Sequence, residues 1–375
     1  MPVNYEQLRA QMKDAGKTLR LRHDAFKRAA ERYEEQLRNE AESTDFQERL
    51  DSALASKPEA RCALPLNEPI NAVHPLPALP GTQTRLLACD GSQISPSRHD
   101  EISFALINTA IVEYIARSGC TPRILTRTRL LPFDDLPNEN LLGVQRDAAE
   151  KRFLAEIAAE AGHDIPTFAL CDGPLELFTD TPDMKGQELL KAEYLEALRQ
   201  LAEARVPAAG YIDRPRSDLV LRMLSLLHGA DPDADKAEAN DSMIFSRLLG
   251  PGERSAVFGM NSRLNKELAE ELRLCFFYLN IGRSGHPYIC RVELPAWAAN
   301  DEIIPDLLHG TLLEQCQMLG GHPYPFILHR AHESAVITFA EKEEVKGMLL
   351  REMTVNGLTP PEKSNKQIAK DSMKN

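Results

Sequence analysis

The chain contains no CxxC pair, and its seven cysteines (Cys62, Cys89, Cys120, Cys171, Cys275, Cys290 and Cys316) are odd in number and scattered. Neither a disulfide framework nor a zinc ribbon is supported by that pattern. Cys89 and Cys171 each precede an Asp inside an apolar run and read as small core fillers in strands. No apolar run reaches the roughly 18 residues needed to cross a bilayer, and the opening residues MPVNYEQLRAQMKDAGK lack the hydrophobic core of a secretory signal. A cytoplasmic protein without a membrane partner is expected. Positive charge is also in deficit, since 44 Lys and Arg stand against 56 Asp and Glu, a formal charge of −12. This excludes binding of nucleic acid by bulk charge, but not an enzyme that gathers carboxylates at its centre and guides a polyanion along a local basic track. Internal repeats are absent. What is present is 375 residues with 43% hydrophobic content, enough for one large or two medium cores.

Residues 1–60 read as a helical region. Between 4 and 40 there is no proline and one glycine, and Tyr5, Met12, Leu19, Phe26 and Tyr33 recur every seven positions. That is one narrow apolar seam on a long helix. Its companion positions Leu8, Ala15, Arg22, Ala29 and Gln36 are too weak for a two-stranded coiled coil, so the seam should dock on the protein's own body or on a second subunit. The proline-rich stretch 61–83 reads as an extended linker, and 355–375 as a polar, frayed tail. Between them, 84–354 should form the main domain.

Within it, TRLLACD (84–90), SFALINTAIVEYIA (103–116) and RILTRTRLL (123–131) read as three strands, followed by a helix over roughly 143–162. A buried strand TFALCD (167–172), a helix over about 184–205, a short strand AAGYID (208–213) and a helix over about 216–229 complete a core at about 84–230. Three meandering strands followed by alternating helix and strand predict an α/β, ribonuclease H-like mixed sheet flanked by helices. The acidic loop DPDADKAEAND (231–241) separates it from a C-terminal α+β extension. There LCFFYLNI and YICRVELPAW form a hairpin across GRSGHP, and the strand-like FILHRAH (326–332) lies between helices near 301–319 and 339–354.

Asp90 follows an apolar strand and precedes Gly91 and Ser92. Alone, an Asp-Gly-Ser is more often a turn aspartate bonded to its own backbone. Asp172 repeats the situation before Gly173 and Pro174, at the carboxyl end of a parallel-type strand, where open α/β sheets place their ligands. Two such turns in one sheet favour a shared site. Glu150 lies three, four and seven residues before Phe153, Leu154 and Ile157, so it projects from the apolar face, whereas Glu156 and Glu160 point away. A buried carboxylate needs a partner, either Arg146 one turn earlier or a divalent cation shared with Asp90 and Asp172. Asp241 is open between helix N-cap of SMIFSRLL and ligand. His332 ends a strand-like segment and is placed to position a water or a leaving oxygen. Hard oxygen donors without thiolates suit Mn²⁺ or Mg²⁺, the cations of phosphodiester hydrolysis.

Six blocks carry a family resemblance: LLACDGSQIS, ALCDGPLEL, GYIDRPRSDLVLRML, DSMIFSRLLGPGERSAVF, FFYLNIG with RVELPAW, and GHPYPFILHRAHESAVI. In this order, over roughly 84–340, they resemble NurA, the nuclease partner of HerA-type hexameric DNA translocases. The resemblance implies a ribonuclease H-like fold, a homodimer threaded by DNA, Mn²⁺-dependent 5′–3′ exonuclease and single-strand endonuclease activity, and docking on a HerA-like ATPase in repair or phage defence. By motif it implies that Asp90, Asp172 and Asp241 are metal ligands, that His332 is the C-terminal histidine, and that Glu150 is the helical glutamate.

For DNA, Arg127 and Arg129 alternate onto one face of a strand with Arg123, while Arg214 and Arg216 flank Pro215 after another. These guanidinium groups suit phosphate contacts that read no sequence, and plain solvated charge is the alternative for each pair. Tyr278, Tyr288 and Tyr324 are candidates for base stacking or for core packing. Residues 1–60 are nearly neutral, with 11 basic and 12 acidic residues, so the acid surplus belongs to the rest of the chain. DNA should therefore keep to an arginine-lined track around the metals. Two other readings remain: an actin-like phosphotransferase, which lacks here the further glycine-rich phosphate loops it needs, and a nuclease-like scaffold that docks a translocase without cutting.

Overall fold

The computed structural model describes residues 3–78, 83–97, 101–133, 136–162, 164–177, 187–229, 239–321 and 323–359. The acidic loop up to residue 238, the end of the proline-rich stretch at 79–82 and the tail from 360 lie outside the described residues. In chain order the elements are α1 (Tyr5–Ala41), α2 (Phe46–Ser56), β1 (Cys62–Pro65), β2 (Val73–His74), β3 (Arg85–Ile94), β4 (Leu106–Ile115), β5 (Arg123–Leu130), α3 (Glu139–Glu160), β6 (Thr167–Asp172), α4 (Gln187–Glu203) and β7 (Ala208–Ile212). They continue with α5 (Leu219–Leu227), α6 (Asp241–Leu248), β8 (Arg254–Ser255), β9 (Phe258–Asn261), α7 (Arg263–Lys266), β10 (Leu274–Asn280), β11 (Ile289–Pro295), α8 (Ala296–Ala299), α9 (Ile304–Met318), α10 (Phe326–Ala335) and α11 (Phe339–Val355). None of the described helices is long and apolar enough to cross a membrane.

Two compact units divide the chain, and each is assembled from separate segments. One comprises Pro80–Asp172, Leu177–Ala209 and Gln315–Asn375; the other comprises Met1–Leu79, Gly173–Glu176 and Gly210–Glu314.

In the first of these units β3 is the central strand. It pairs antiparallel with β4 through ten positions, from Arg85↔Ile115 to Ile94↔Leu106, and parallel with β6 from Arg85↔Thr167 to Cys89↔Cys171. Strand β5 pairs antiparallel with β4 at the far side. The sheet is mixed, as the element order predicts, and helices cover both faces of β3. Ser92 donates to the carbonyl of Ala335 on α10, while Gly91, one residue back and hence on the other face, abuts Glu150 and Arg146 of α3. Covered on both sides, β3 reads in sequence as the continuous apolar run Leu86–Leu87–Ala88–Cys89, all buried.

Helix α3 starts at Asn138, whose side chain accepts from the Leu141 amide at 2.9 Å. It packs on both β3 and α4, so two apolar stripes are required and two charged residues, Glu150 and Lys151, end up buried between them.

The segment FILHRAH, expected as a strand, is helical. Its buried residues Ile327, Leu328, Ala331 and Ala335 recur at helical spacing, and Pro325 stands at the N-cap, where no backbone donor is needed. A short apolar run carries no period of its own, which is why it reads equally well as a strand.

The other unit contains β1, β9, β10, β11 and the end of β7, paired antiparallel throughout. The expected linker is extended but not free: β1 pairs with β9 and β2 with β8. Cys62 and Ala63 are buried there, and Pro65 falls at the last pair of a marginal strand, where a missing donor is tolerated. The hairpin β10–β11 forms as expected, with seven registered pairs. Helix α1 docks only by its C-terminal half. Tyr33 and Leu37 are buried in one core with Leu50 and the apolar face of α5, whereas Tyr5, Met12 and Leu19 of the same seam are exposed.

Candidate active site

The parallel pairing of β3 with β6 ends at Cys89↔Cys171, and the next residue on each strand is an aspartate, Asp90 and Asp172. Residues at matching positions of parallel neighbours leave the sheet on the same face, at the roughly 4.8 Å spacing of adjacent strands. The two aspartates therefore occupy neighbouring positions on one face of the sheet. Asp172 is the last residue of β6, as expected, but Asp90 is not a strand end, because β3 runs on to Ile94 against β4. The strand that stops is β6, and its end lies beside Asp90.

His332 on α10 meets Asp90 across 242 positions of sequence, its Nδ1 being 2.7 Å from Asp90 Oδ2. The other oxygen, Oδ1, accepts from the Gly91 amide at 2.8 Å. A carboxylate only accepts, so the proton lies on Nδ1 and the imidazole Nε2 is left as the free position. The His332 side chain is 64% exposed and Asp90 only 19%. The pair thus has a fixed, sheltered end and a solvent-facing end.

Glu150 approaches from α3. Its Oε1 would lie 2.5 Å from a Cβ placed on Gly91, and Arg146 Cγ 2.8 Å from it. Only glycine lets the helix seat this carboxylate against the strand that carries Asp90. Glu150 is buried and poorly satisfied: it accepts one long hydrogen bond, 3.5 Å from Lys151 Nζ, and Arg146 Nε stands 3.3 Å away without hydrogen-bond geometry. Burial pushes its pKa up to about 7; Lys151 and Arg146 pull it down, and Asp147 and Asp90 push it up. The ion pair with Arg146 weighed from the sequence is thus present but weak. Glu156 is exposed and pairs with Arg127 at 2.7 Å. Lys151, which sequence reasoning passed over, is the other buried charge, with its ammonium 5.7 Å from the centre of the Tyr194 ring. Its position next to a buried glutamate on a doubly packed helix was the available signal.

The donor set suits a hard divalent cation. Asp90, Asp172 and Glu150 offer only oxygen, and the undersatisfied Glu150 carboxylate sits in a niche that any Cβ at position 91 would fill. Among the described residues, no three His, Cys, Asp or Glu side chains stand close enough together to hold a metal ion. Asp90 leaves β3 on the face it shares with Ser92 and α10, whereas Glu150 reaches the opposite face at Gly91, so the structure does not bring Glu150 together with the two aspartates.

Asp241 belongs to the other unit. It is the first residue of α6, whose N-cap is Asn240, and its carboxylate caps α5 instead. Oδ2 accepts from the Val220 amide at 3.0 Å and from the Tyr278 hydroxyl at 2.6 Å, and Oδ1 accepts from the Leu221 amide at 3.0 Å. The residue has no exposure, and burial raises its pKa to about 6 against the lowering pull of these hydrogen bonds. Tyr278 is likewise a core residue, stacked on Phe245 at 4.4 Å. Tyr288 binds Asp213 and Arg214, and Tyr324 is half-buried.

Of the arginines, Arg127 lies over the Phe153 ring at 4.2 Å, while Arg129 is exposed on the same strand and takes no ion pair among the described residues. Arg214 and Arg216 are exposed and belong to the unit that holds Asp241.

A family model described as "NurA domain" matches residues 84–337. Among solved structures, the NurA nuclease from Sulfolobus solfataricus is similar at a TM-score of 0.52 with 12% identity, covering 72% of this chain and 85% of that one. The catalytic domain of human Endonuclease V is similar at a TM-score of 0.33 with 12% identity, over 82% of this chain and 98% of that one. No curated protein matches.

Proposed function

The chain belongs to the NurA family, its domain spanning residues 84–337, and we propose on that basis that it is a divalent-metal-dependent nuclease hydrolysing phosphodiester bonds in DNA. The observation that carries the reading is the register of β3 with β6, which sets Asp90 beside Asp172, with His332 of α10 held on Asp90. Strand order in this unit, three antiparallel neighbours followed by a helix and a parallel strand, supports a ribonuclease H-like arrangement.

Asp90 and Asp172 are the residues that would hold Mn²⁺ or Mg²⁺, and Glu150 would complete the set only by leaving its place against Gly91. When bound, the cation supplies charge neutralisation at the phosphate and activates water at neutral pH. Asp90 holds the His332 ring in one tautomer through Nδ1, which leaves Nε2 to receive or deliver a proton at the solvent-facing side of the site. Asp241 is left out of the ligand set, because three hydrogen bonds in a fully buried place account for its carboxylate.

Arg129 and Arg127 on β5, and Arg214 and Arg216 after β7, are the proposed phosphate contacts, with sequence left unread. The family extends the reading to 5′–3′ exonuclease and single-strand endonuclease cutting, to a homodimer, and to work with a HerA-like hexameric ATPase in the cytoplasm, in repair or phage defence.

The test is cleavage of single- and double-stranded DNA with and without Mn²⁺, by the parent, Asp90→Asn and Asp172→Asn. Metal-dependent cutting by the parent and loss in both variants are expected. Cutting at the parent rate by either variant would remove that aspartate from the site.

A further inference from the structure

In the unit that carries β11 lies a cleft of about 430 Å³ whose lining includes Arg214, Arg216, Asn240, Ser242, Ser246 and Tyr288. Its chemistry is divided. Its lining combines two guanidinium groups with oxygens that can accept.

Arg214 is held in place. Its backbone is left-handed, with φ of 46°, although it is neither glycine nor asparagine and stands directly before Pro215, which disfavours helical conformations of either hand. Strain of this kind persists where neighbours fix the conformation, and it gathers at binding sites. The fixing is visible here. Arg214 Nε donates to the Tyr288 hydroxyl at 3.0 Å, and that hydroxyl donates to Asp213 at 2.8 Å and 2.9 Å from its two oxygens. The guanidinium lies 5.0 Å from the centre of the Tyr288 ring. With Nε engaged, the two terminal nitrogens take no hydrogen bond or ion pair among the described residues, and Arg216 takes none either. Two such free forks are suited to a phosphate.

The acceptors come from α6 and its cap. Asn240 Oδ1 is buried without a hydrogen-bond partner among the described residues. Ser242 and Ser246 give their protons to the carbonyls of Pro215 and Met243, both at 2.8 Å, so their hydroxyl oxygens can only accept. A bare anion would satisfy the arginines and leave these oxygens idle. A ligand with a phosphate at one end and N–H or O–H donors at the other would satisfy both.

We propose that this cleft binds one nucleotide, with its 5′-phosphate on Arg214 and Arg216 and a base or sugar donor toward Asn240. The proposal rests on the nuclease reading and deepens it, because it names a nucleotide subsite built from residues other than the carboxylates of the cutting site. The nucleotide has two possible sources, a unit of the DNA strand or a free mononucleotide.

The test is calorimetric titration of the full-length, metal-free protein with thymidine 5′-monophosphate, inorganic phosphate, thymidine and a short single-stranded oligonucleotide. Expected are binding of the monophosphate more tightly than phosphate or thymidine, about tenfold weaker binding in Arg216→Gln, and weaker binding in Tyr288→Phe, which keeps the ring but frees Arg214. Asn240→Leu should weaken the monophosphate and leave phosphate unaffected. Circular dichroism checks that each variant is folded. Displacement of the monophosphate by the oligonucleotide identifies the strand as the source; simultaneous binding identifies a free nucleotide, and either supports the cleft. Asp90→Asn should lose cleavage and keep nucleotide affinity, so failure of the nuclease reading and of this one are told apart. No nucleotide binding, phosphate binding as tight as the monophosphate, or parent affinity in the Arg216 variant overturns the proposal.

Discussion

Glu150 stands where a side chain at Gly91 would be. A Cβ at that position would meet Glu150 Oε1 at 2.5 Å and the Arg146 side chain at 2.8 Å, so the glycine after Asp90 is the condition for the helix to bring its carboxylate to the strand. Gly91 has no left-handed conformation to explain it; close approach alone does.

Gly91→Ala is therefore expected to push α3 away from β3. The change should destabilise the fold by about 1–3 kcal/mol, as overpacking does, and reduce metal-dependent cleavage by more than the fraction unfolded accounts for. Urea unfolding paired with cleavage of the same preparation measures both. Parent stability and parent rate together would mean that Glu150 has room to yield and is not held by position 91.

His332→Ala should behave in the opposite way. The side chain is mostly exposed, so stability should stay within about 0.5 kcal/mol of the parent, while loss of a proton-transfer group should slow cleavage by roughly 10²–10⁴-fold. Single-turnover kinetics on a defined oligonucleotide give the number. A variant that melts early and cuts normally would make the Asp90–His332 contact a structural tie between α10 and β3.

The raised pKa of Glu150 sets a pH dependence whose sign is fixed. Its ordinary value is 4.5 and burial raises it to about 7, so between those limits the folded protein holds a proton that the unfolded chain has released. Stability of the metal-free protein therefore falls as pH rises through this window, and the contribution is gone once pH exceeds the folded value. Glu150→Gln should flatten that fall in urea titrations repeated across the range. Metal affinity should run the other way and rise as pH approaches 7, because a cation needs the deprotonated carboxylate. Identical pH profiles of parent and Glu150→Gln would show that Glu150 is not the titrating group.

Asp241→Ala should cost about 3 kcal/mol, since it leaves two buried helix amides without an acceptor and takes from the Tyr278 hydroxyl its shorter partner. The fraction that stays folded at low temperature should bind Mn²⁺ with parent affinity. Lost metal affinity in a folded Asp241→Asn protein would return this residue to the ligand set.

Local pattern was enough for a good part of this molecule. The spacing of Phe153, Leu154 and Ile157 already turns Glu150 inward, and two apolar runs ending in Asp-Gly place Asp90 and Asp172 at equivalent points of buried strands. Helical period and strand alternation are properties of neighbouring residues, so the order of strands and helices in the Asp90 unit follows from them. Three other features do not. FILHRAH is too short to carry a period, and its helix is decided by what Ile327, Leu328, Ala331 and Ala335 pack against. The proline-rich stretch becomes sheet only because β9 and β8 supply partners some two hundred positions away. Asp241 looks like a cap for its own helix and instead caps one that begins 22 residues earlier. Sequence thus determined the longer strands and helices around Asp90 and the inward turn of Glu150, because period and alternation are local. Tertiary structure decided which donor each carboxylate meets, because a hydrogen bond depends on distances of a few ångströms between segments that the chain itself keeps far apart.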